Sequence, residues 1–228
     1  MMLLSITFGF TGLTLTFCSG VYGTSIGHSK RFGTDAKGLI GICGIFIGAG
    51  EIFGGALFGL CGKWMRRFGR DPIIVFGFLV NITMYYLIFL NLPQMSPIEE
   101  THGDVYVNFG YYSKYLAVMC GFLAGLGDSS YNTQVYSILG ALYPDDSAPA
   151  FALYKFVQSL FAAAGFFYST VLELQFQLLI LVIGTTSATL SFIAVEWSTI
   201  KTIRNKPPQS EMLMPDVSKG QATEQTEV

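Results

Sequence analysis

Charge is scarce in this chain: Lys, Arg, Asp and Glu make up 12% of its 228 residues, about half the roughly 25% of a soluble domain. No basic cluster marks the chain for nucleic acid, which is not an expected partner. Cysteine occurs four times, and Cys18, Cys43, Cys61 and Cys120 follow no zinc spacing. All four lie in apolar stretches, where disulfide exchange is disfavoured, so they read as small packing residues, with no metal site and no cofactor expected. Phosphate loops and nucleophile elbows are absent. An arginine-rich helix and a carbonyl filter sequence are absent too, which argues against a six-helix voltage-gated channel. Nothing basic precedes the first apolar run, so that run is a retained helix and not a secretory signal.

What fills the chain is apolar surface, at 51% hydrophobic residues and a mean hydropathy of +0.50. Six apolar stretches, near residues 1–22, 39–62, 72–92, 115–142, 148–172 and 175–195, each reach crossing length. A helix advances about 1.5 Å per residue through a hydrocarbon layer about 30 Å thick. The prediction is an all-α membrane protein, with a six-helix transmembrane bundle over residues 1–200 in a lipid bilayer. A disordered tail is expected over 201–228, where Pro207, Pro208 and Pro215 sit among polar residues. The chain enters the bilayer at Met1 with almost no hydrophilic lead, which is expected of a partial chain. Lys63, Arg66, Arg67 and Arg70 crowd the loop between helices 2 and 3, and Lys201, Arg204 and Lys206 follow helix 6. Basic residues concentrate on the cytoplasmic side, so both termini are predicted there and Glu99, Glu100 and Asp104 outside. Lys30, Arg31 and Lys37 run against this assignment.

Helices in lipid associate through close backbone approach at small residues and a few polar contacts. Helix 2 offers Gly44 with Gly48, Gly50 with Gly54 and Gly55 with Gly59, and helix 4 offers Gly121 with Gly125. Trp64, Tyr111, Tyr112, Tyr115 and Trp197 are placed as headgroup-level anchors. Pro149 suits the first turn of helix 5, behind Asp145, Asp146 and Ser147 as capping oxygens. The sequon Asn81-Ile82-Thr83 lies inside helix 3, out of reach of glycosylation.

A charge at the bilayer centre costs about 2.5 to 3.5 kcal/mol, so each one needs a partner, a wet cavity or a neutralising proton. Glu51, Asp128 and Lys155 are the three to explain. Asn132 follows Asp128 by one turn, and Ser129, Thr133 and Tyr136 extend a polar stripe expected to face a cavity. Lys155 lies roughly 12 Å into its helix and Asp128 about 20 Å from the cytoplasmic end of its own, so direct pairing is not expected. Asn132, Tyr136 or lipid phosphate are the alternatives for Lys155, and Gln158 and Ser159 continue its polar strip. These residues are candidates for a cavity or gating role, with a satisfied polar contact between helices as the alternative. Helices 2, 4 and 5 carry one interior charge each and helices 3 and 6 none, which suits two packed sets of three.

Gly62-Lys63-Trp64-Met65-Arg66-Arg67-Phe68-Gly69-Arg70 resembles the cytoplasmic signature of the major facilitator superfamily. Gly62, Arg67, Gly69 and Arg70 match that pattern, while Arg66 occupies the place of its acidic residue, and so the charge lock of relatives is in question. The segments Gly125 to Gln134 and Ala150 to Ser159 resemble the uncoordinated-93-like branch, and the resemblance runs through the whole chain. It implies one half of a major facilitator fold, a three-plus-three inverted repeat, here the carboxy-terminal half of a twelve-helix parent. The implied function is a solute carrier or a fragment of one, unable to transport alone and working with a missing amino-terminal half or as a homodimer. The alternative is a non-transporting escort or regulatory subunit for a membrane-protein client. Gly125-Leu126-Gly127-Asp128 also looks like an intramembrane aspartyl protease motif, but no second aspartate lies within a helix to share its proton, so no enzyme is expected.

Overall fold

The computed structural model of the chain describes residues 2–60, 69–101, 105–107, 110 and 113–204. Among the described residues there are six helices and no strand. Helix α1 runs over Met2–His28, a 3-10 turn over Lys30–Asp35 follows, and α2 is Ala36–Leu60. Then come α3, Asp71–Asn91, α4, Ser113–Leu142, α5, Ser147–Ser169, and α6, Leu174–Arg204. Five of them are long and apolar enough to cross a membrane; α4 has the length, at 30 residues, but carries the polar stripe from Asp128 to Gln134.

Three departures from the expected boundaries have local causes. Helix α1 continues six residues past Tyr22 to His28, through a π-helical turn at Phe17–Val21. In this polar, glycine-rich end Gly23 and Gly27 lie against the Ile40 side chain, so α2 can cross closely. At the start of α5 Asp146 makes no side-chain cap; the backbone Ala150 N–H bonds its carbonyl at 3.3 Å instead, which corrects the expected capping oxygen. Helix α6 reaches Arg204, so residues 201–204 are helix and not tail, while the compact unit ends at Glu196. The remainder of the expected tail lies outside the described residues, as do Cys61, Trp64, Tyr111 and Tyr112.

Successive helices alternate in direction. At one end the Lys30 N–H bonds Thr101 O (3.1 Å), the Thr101 N–H bonds His28 O (3.0 Å) and the Leu174 N–H bonds Gln94 O (2.8 Å). Lys30 pairs with Glu100 at 3.5 Å and Lys114 with Asp35 at 2.6 Å at the same end. Two large apolar cores follow from this stacking, beside a small cluster of Phe58, Ile73 and Leu126. One, near that end, is built around Phe17, Tyr22, Ile26, Tyr85, Ile88 and Leu178. The other, toward the opposite end, centres on Leu4, Phe8, Ile74, Ile138, Tyr154 and Phe192.

The closest packing is α2 on α4 and α1 on α5. Both seams depend on glycine. A Cβ on Gly125 would lie 1.9 Å from the Ile47 carbonyl oxygen, and one on Gly50 2.2 Å from that of Phe122. A Cβ on Gly12 would lie 2.2 Å from the Gln158 carbonyl oxygen. These two seams are equivalents: a repeat that maps α1, α2, α3 onto α4, α5, α6 turns the α1·α5 pair into the α4·α2 pair. Gly12 on Gln158 then corresponds to Gly125 on Ile47, as expected of half a major facilitator fold. The expected glycine pairs divide accordingly. Gly50, Gly54, Gly121 and Gly125 form the seam, whereas Gly44, Gly48 and Gly59 have no atom within 4 Å of a Cβ built on them.

Substitution separates the two groups. Gly125→Ala forces backbone apart and is expected to cost about 1–3 kcal/mol or more, read as a lower midpoint of thermal unfolding in detergent. Gly48→Ala should leave the midpoint within the spread of surface substitutions, about 0.5 kcal/mol.

Candidate functional site

Between the two cores the helix middles turn polar, with Thr11 and Thr14 on α1, Asp128 and Asn132 on α4, Gln158 on α5 and Thr185 and Thr189 on α6. The Gly125 contact also reaches the Glu51 backbone N–H, 2.9 Å from a Cβ built there. That seats Glu51 beside α4 one turn from Asp128. Both carboxylates line one cleft of about 260 Å³ with Leu15, Cys18, Ser19, Tyr22 and Gly44. Glu51 is exposed to the cleft and Asp128 half-buried. The π-helical turn of α1 contributes Cys18 and Ser19 to the same wall; such turns recur at functional sites because they re-aim side chains within a helix.

Asp128 continues into a chain of hydrogen bonds. Asn132 Nδ2 donates to Asp128 Oδ2 at 2.7 Å. The Tyr154 hydroxyl donates to Asn132 Oδ1 at 2.5 Å. Gln158 Nε2 donates to the Tyr154 oxygen at 3.1 Å and to Thr11 Oγ1 at 3.3 Å. Lys155 Nζ donates to Gln158 Oε1 at 2.8 Å, and sits 4.8 Å from the Tyr154 ring centroid and 5.5 Å from that of Tyr136. Every donor therefore points from the ammonium toward the carboxylate, and aligned bonds of this kind polarise one another. Lys155 and Asp128 are not in contact, as the depths required, yet three neutral side chains couple them. The rings hold the ammonium by cation–π attraction, so Lys155 has partners within the bundle, in Gln158, Tyr154 and Tyr136.

A second cluster sits where α3 begins. Gly69 has φ 79°, which glycine adopts at no steric cost, and turns the chain so that Arg70 meets Glu196 of α6. Arg70 Nη1 lies 2.9 Å from Glu196 Oε2 and 3.2 Å from Oε1, and the Arg70 backbone N–H donates to Oε1 at 3.2 Å. Arg70 Nε also donates to Ser137 Oγ of α4 at 2.9 Å. Glu196 is 2% exposed and Arg70 20%, so the signature residue Arg70 takes its acidic partner from α6. Gly62 and Arg67, the other two signature residues, lie outside the described residues.

The structure brings the sequence candidates Asp128, Asn132, Lys155 and Gln158 into one network, with Glu51 lining the same cleft as Asp128, while sequence reasoning missed Tyr154, Thr11, Glu196 and Ser137. Tyr154 and Gln158 are one turn apart, and that spacing was the available signal for the tyrosine. Glu196 is the lone acid just past the last apolar stretch. Outside the spans, Lys114 holds the Asp35 carboxyl below the usual carboxylate range through a hydrogen bond and its charge. This exposed link is therefore present at neutral pH and released only as pH falls through that lowered value.

The sequence profile described as "Ion channel regulatory protein UNC-93" matches residues 1–193. The chain is 57% identical over 197 residues to the UNC93-like protein MFSD11 of Xenopus laevis, covering 86% of this chain and 44% of that protein. To its counterpart in Xenopus tropicalis it is 56% identical over 197 residues, with the same 86% and 44% coverage. The chain therefore spans less than half the length of these curated relatives. No solved structure gives a significant match.

Two sets of variants test the clusters. Tyr154→Phe leaves Asn132 and Gln158 without their shared hydroxyl and is expected to cost about 1–3 kcal/mol. Arg70→Gln or Glu196→Gln alone should each cost about 3–5 kcal/mol, because one partner stays buried and unpaired, while the double replacement costs less than either. Thermal unfolding in detergent reads both.

Proposed function

Since the chain belongs to the UNC-93 family, we propose that it forms one wall of a major-facilitator-type solute carrier, the second six-helix half, which moves no solute alone. The observation that carries this reading is an open polar face at mid-helix depth. Glu51, the Asp128 to Lys155 chain and the 260 Å³ cleft all lie there, at the depth where carriers bind their cargo. Helices α2 and α5 support it, since only 22% of the apolar window of each is buried, against 56% in α1. Their free faces suit a second bundle, supplied by an amino-terminal half. In this reading Glu51 and Asp128 contact the solute or its coupling ion, and the polarised chain makes Lys155 sense the charge on Asp128. Loss of charge on Asp128 would weaken the Lys155 and Gln158 contacts to α1 and α4, a physical route from cargo binding to helix movement. The chain needs no catalytic group for this.

Both termini are assigned to the cytoplasm. The basic loop ahead of Arg70 and the basic end of α6 support that side. Lys30, Arg31 and Lys37 count against it; the first two are engaged within the fold, Lys30 with Glu100 and Arg31 with the Asn91 carbonyl at 3.1 Å.

A second reading, a regulatory subunit for a membrane-protein client, is favoured by the description of the family as ion channel regulatory. One reconstitution separates them. Vesicles carrying this chain alone should show no saturable flux, whereas vesicles carrying it with the missing half should, and Asp128→Asn should abolish that flux. Flux by the chain alone overturns the half-carrier reading. No flux with both halves, together with a stoichiometric channel partner on purification, transfers support to the regulatory one.

A further inference from the structure

A second concavity lies between α2 and α4 and shares no lining residue with the carboxylate cleft. It is a groove of about 750 Å³ with Leu39, Ile42, Phe46 and Val118 along its floor and Asp35 and Lys114 at its mouth. Its dimensions match one leaflet. Asp35 and Lys114 flank the first residues of their helices, at headgroup level, and Phe46 lies ten residues into α2 from Ala36. Ten residues advance about 15 Å, half of a hydrocarbon layer about 30 Å thick. The floor is apolar for that whole depth, and the mouth carries one charge of each sign.

We propose that this groove binds a glycerophospholipid with a primary-ammonium headgroup, one acyl chain lying along Leu39, Ile42, Phe46 and Val118. The headgroup ammonium donates to the Asp35 carboxylate and the phosphate accepts from Lys114. The two side chains meet each other at 2.6 Å with side-chain exposures of 69% and 38%, and an exposed ion pair is worth little. Exchanging it for two contacts to a zwitterion therefore costs little, and the carboxyl, held low by Lys114, is ionised at neutral pH to receive the ammonium. A quaternary ammonium has no N–H to donate, so the site discriminates ethanolamine from choline headgroups.

The test uses the full chain in nanodiscs of equal parts phosphatidylethanolamine and phosphatidylcholine, with retained lipid counted by native mass spectrometry after mild delipidation. The expected result is preferential retention of phosphatidylethanolamine, falling about tenfold in Asp35→Asn and in Lys114→Gln, as for one charge-assisted hydrogen bond. Val118→Trp, which fills the groove, should remove the retained lipid, while Ile45→Trp on the neighbouring exposed face should not. Equal retention of the two lipids by the wild type, or retention unchanged in Val118→Trp, overturns the proposal. So does a photo-cross-link from position 46 to a second copy of the chain in place of lipid.

Discussion

Two backbone contacts at glycine organise this bundle: Gly125 against the Ile47 carbonyl, and Gly12 against that of Gln158. In lipid no hydrophobic drive brings helices together, so approach this close supplies the dispersion contacts that hold α2 to α4 and α1 to α5. The polar layer is a consequence. The first contact sets Glu51 beside the turn that carries Asp128, and the second sets Thr11 beside Gln158 and hence Tyr154. Because the seams exchange under the repeat, the same geometry is used twice, once to build the cleft and once to build the relay beside it.

The relay and the Arg70–Glu196 clamp respond differently to the same low dielectric. Glu196 is buried with its cation in contact and bonded by three donor–acceptor pairs from Arg70, an arrangement suited to holding α3 and α6 in one place. Asp128 keeps an open side toward the cleft and meets its cation only through Asn132, Tyr154 and Gln158. The distant coupling leaves room for a change of charge at Asp128 that a direct ion pair would resist. A rigid clamp at one end thus accompanies a polar layer in the middle whose charges are coupled only at a distance.

Much of this was legible from residue order alone, because bilayer thickness imposes length and apolarity so strongly that the six helices, five of them candidate spans, stand out of the chain. The cost of burying charge singled out Glu51, Asp128 and Lys155 on the same physical ground, and single-helix spacing added Asn132 and Gln158. Contacts between helices were not legible. Tyr154 reads as one more aromatic in an apolar helix, and its role appears only when α4 brings Asn132 within reach of its hydroxyl. Glu196 and Arg70 stand 126 positions apart, so neither announces the other. The glycines had the right spacing in every pair, but spacing alone does not distinguish Gly125, which touches backbone, from Gly48, which touches nothing.

Electron cryomicroscopy of the chain in lipid nanodiscs, bound to a rigid antibody fragment for size, tests the glycine-seam account most directly. The account predicts α1 packed on α5 and α2 on α4 through Gly12 and Gly125, with Glu51 and Asp128 opening on one cleft. A bundle in which those glycines face lipid, or in which the two carboxylates lie on opposite faces, would contradict it.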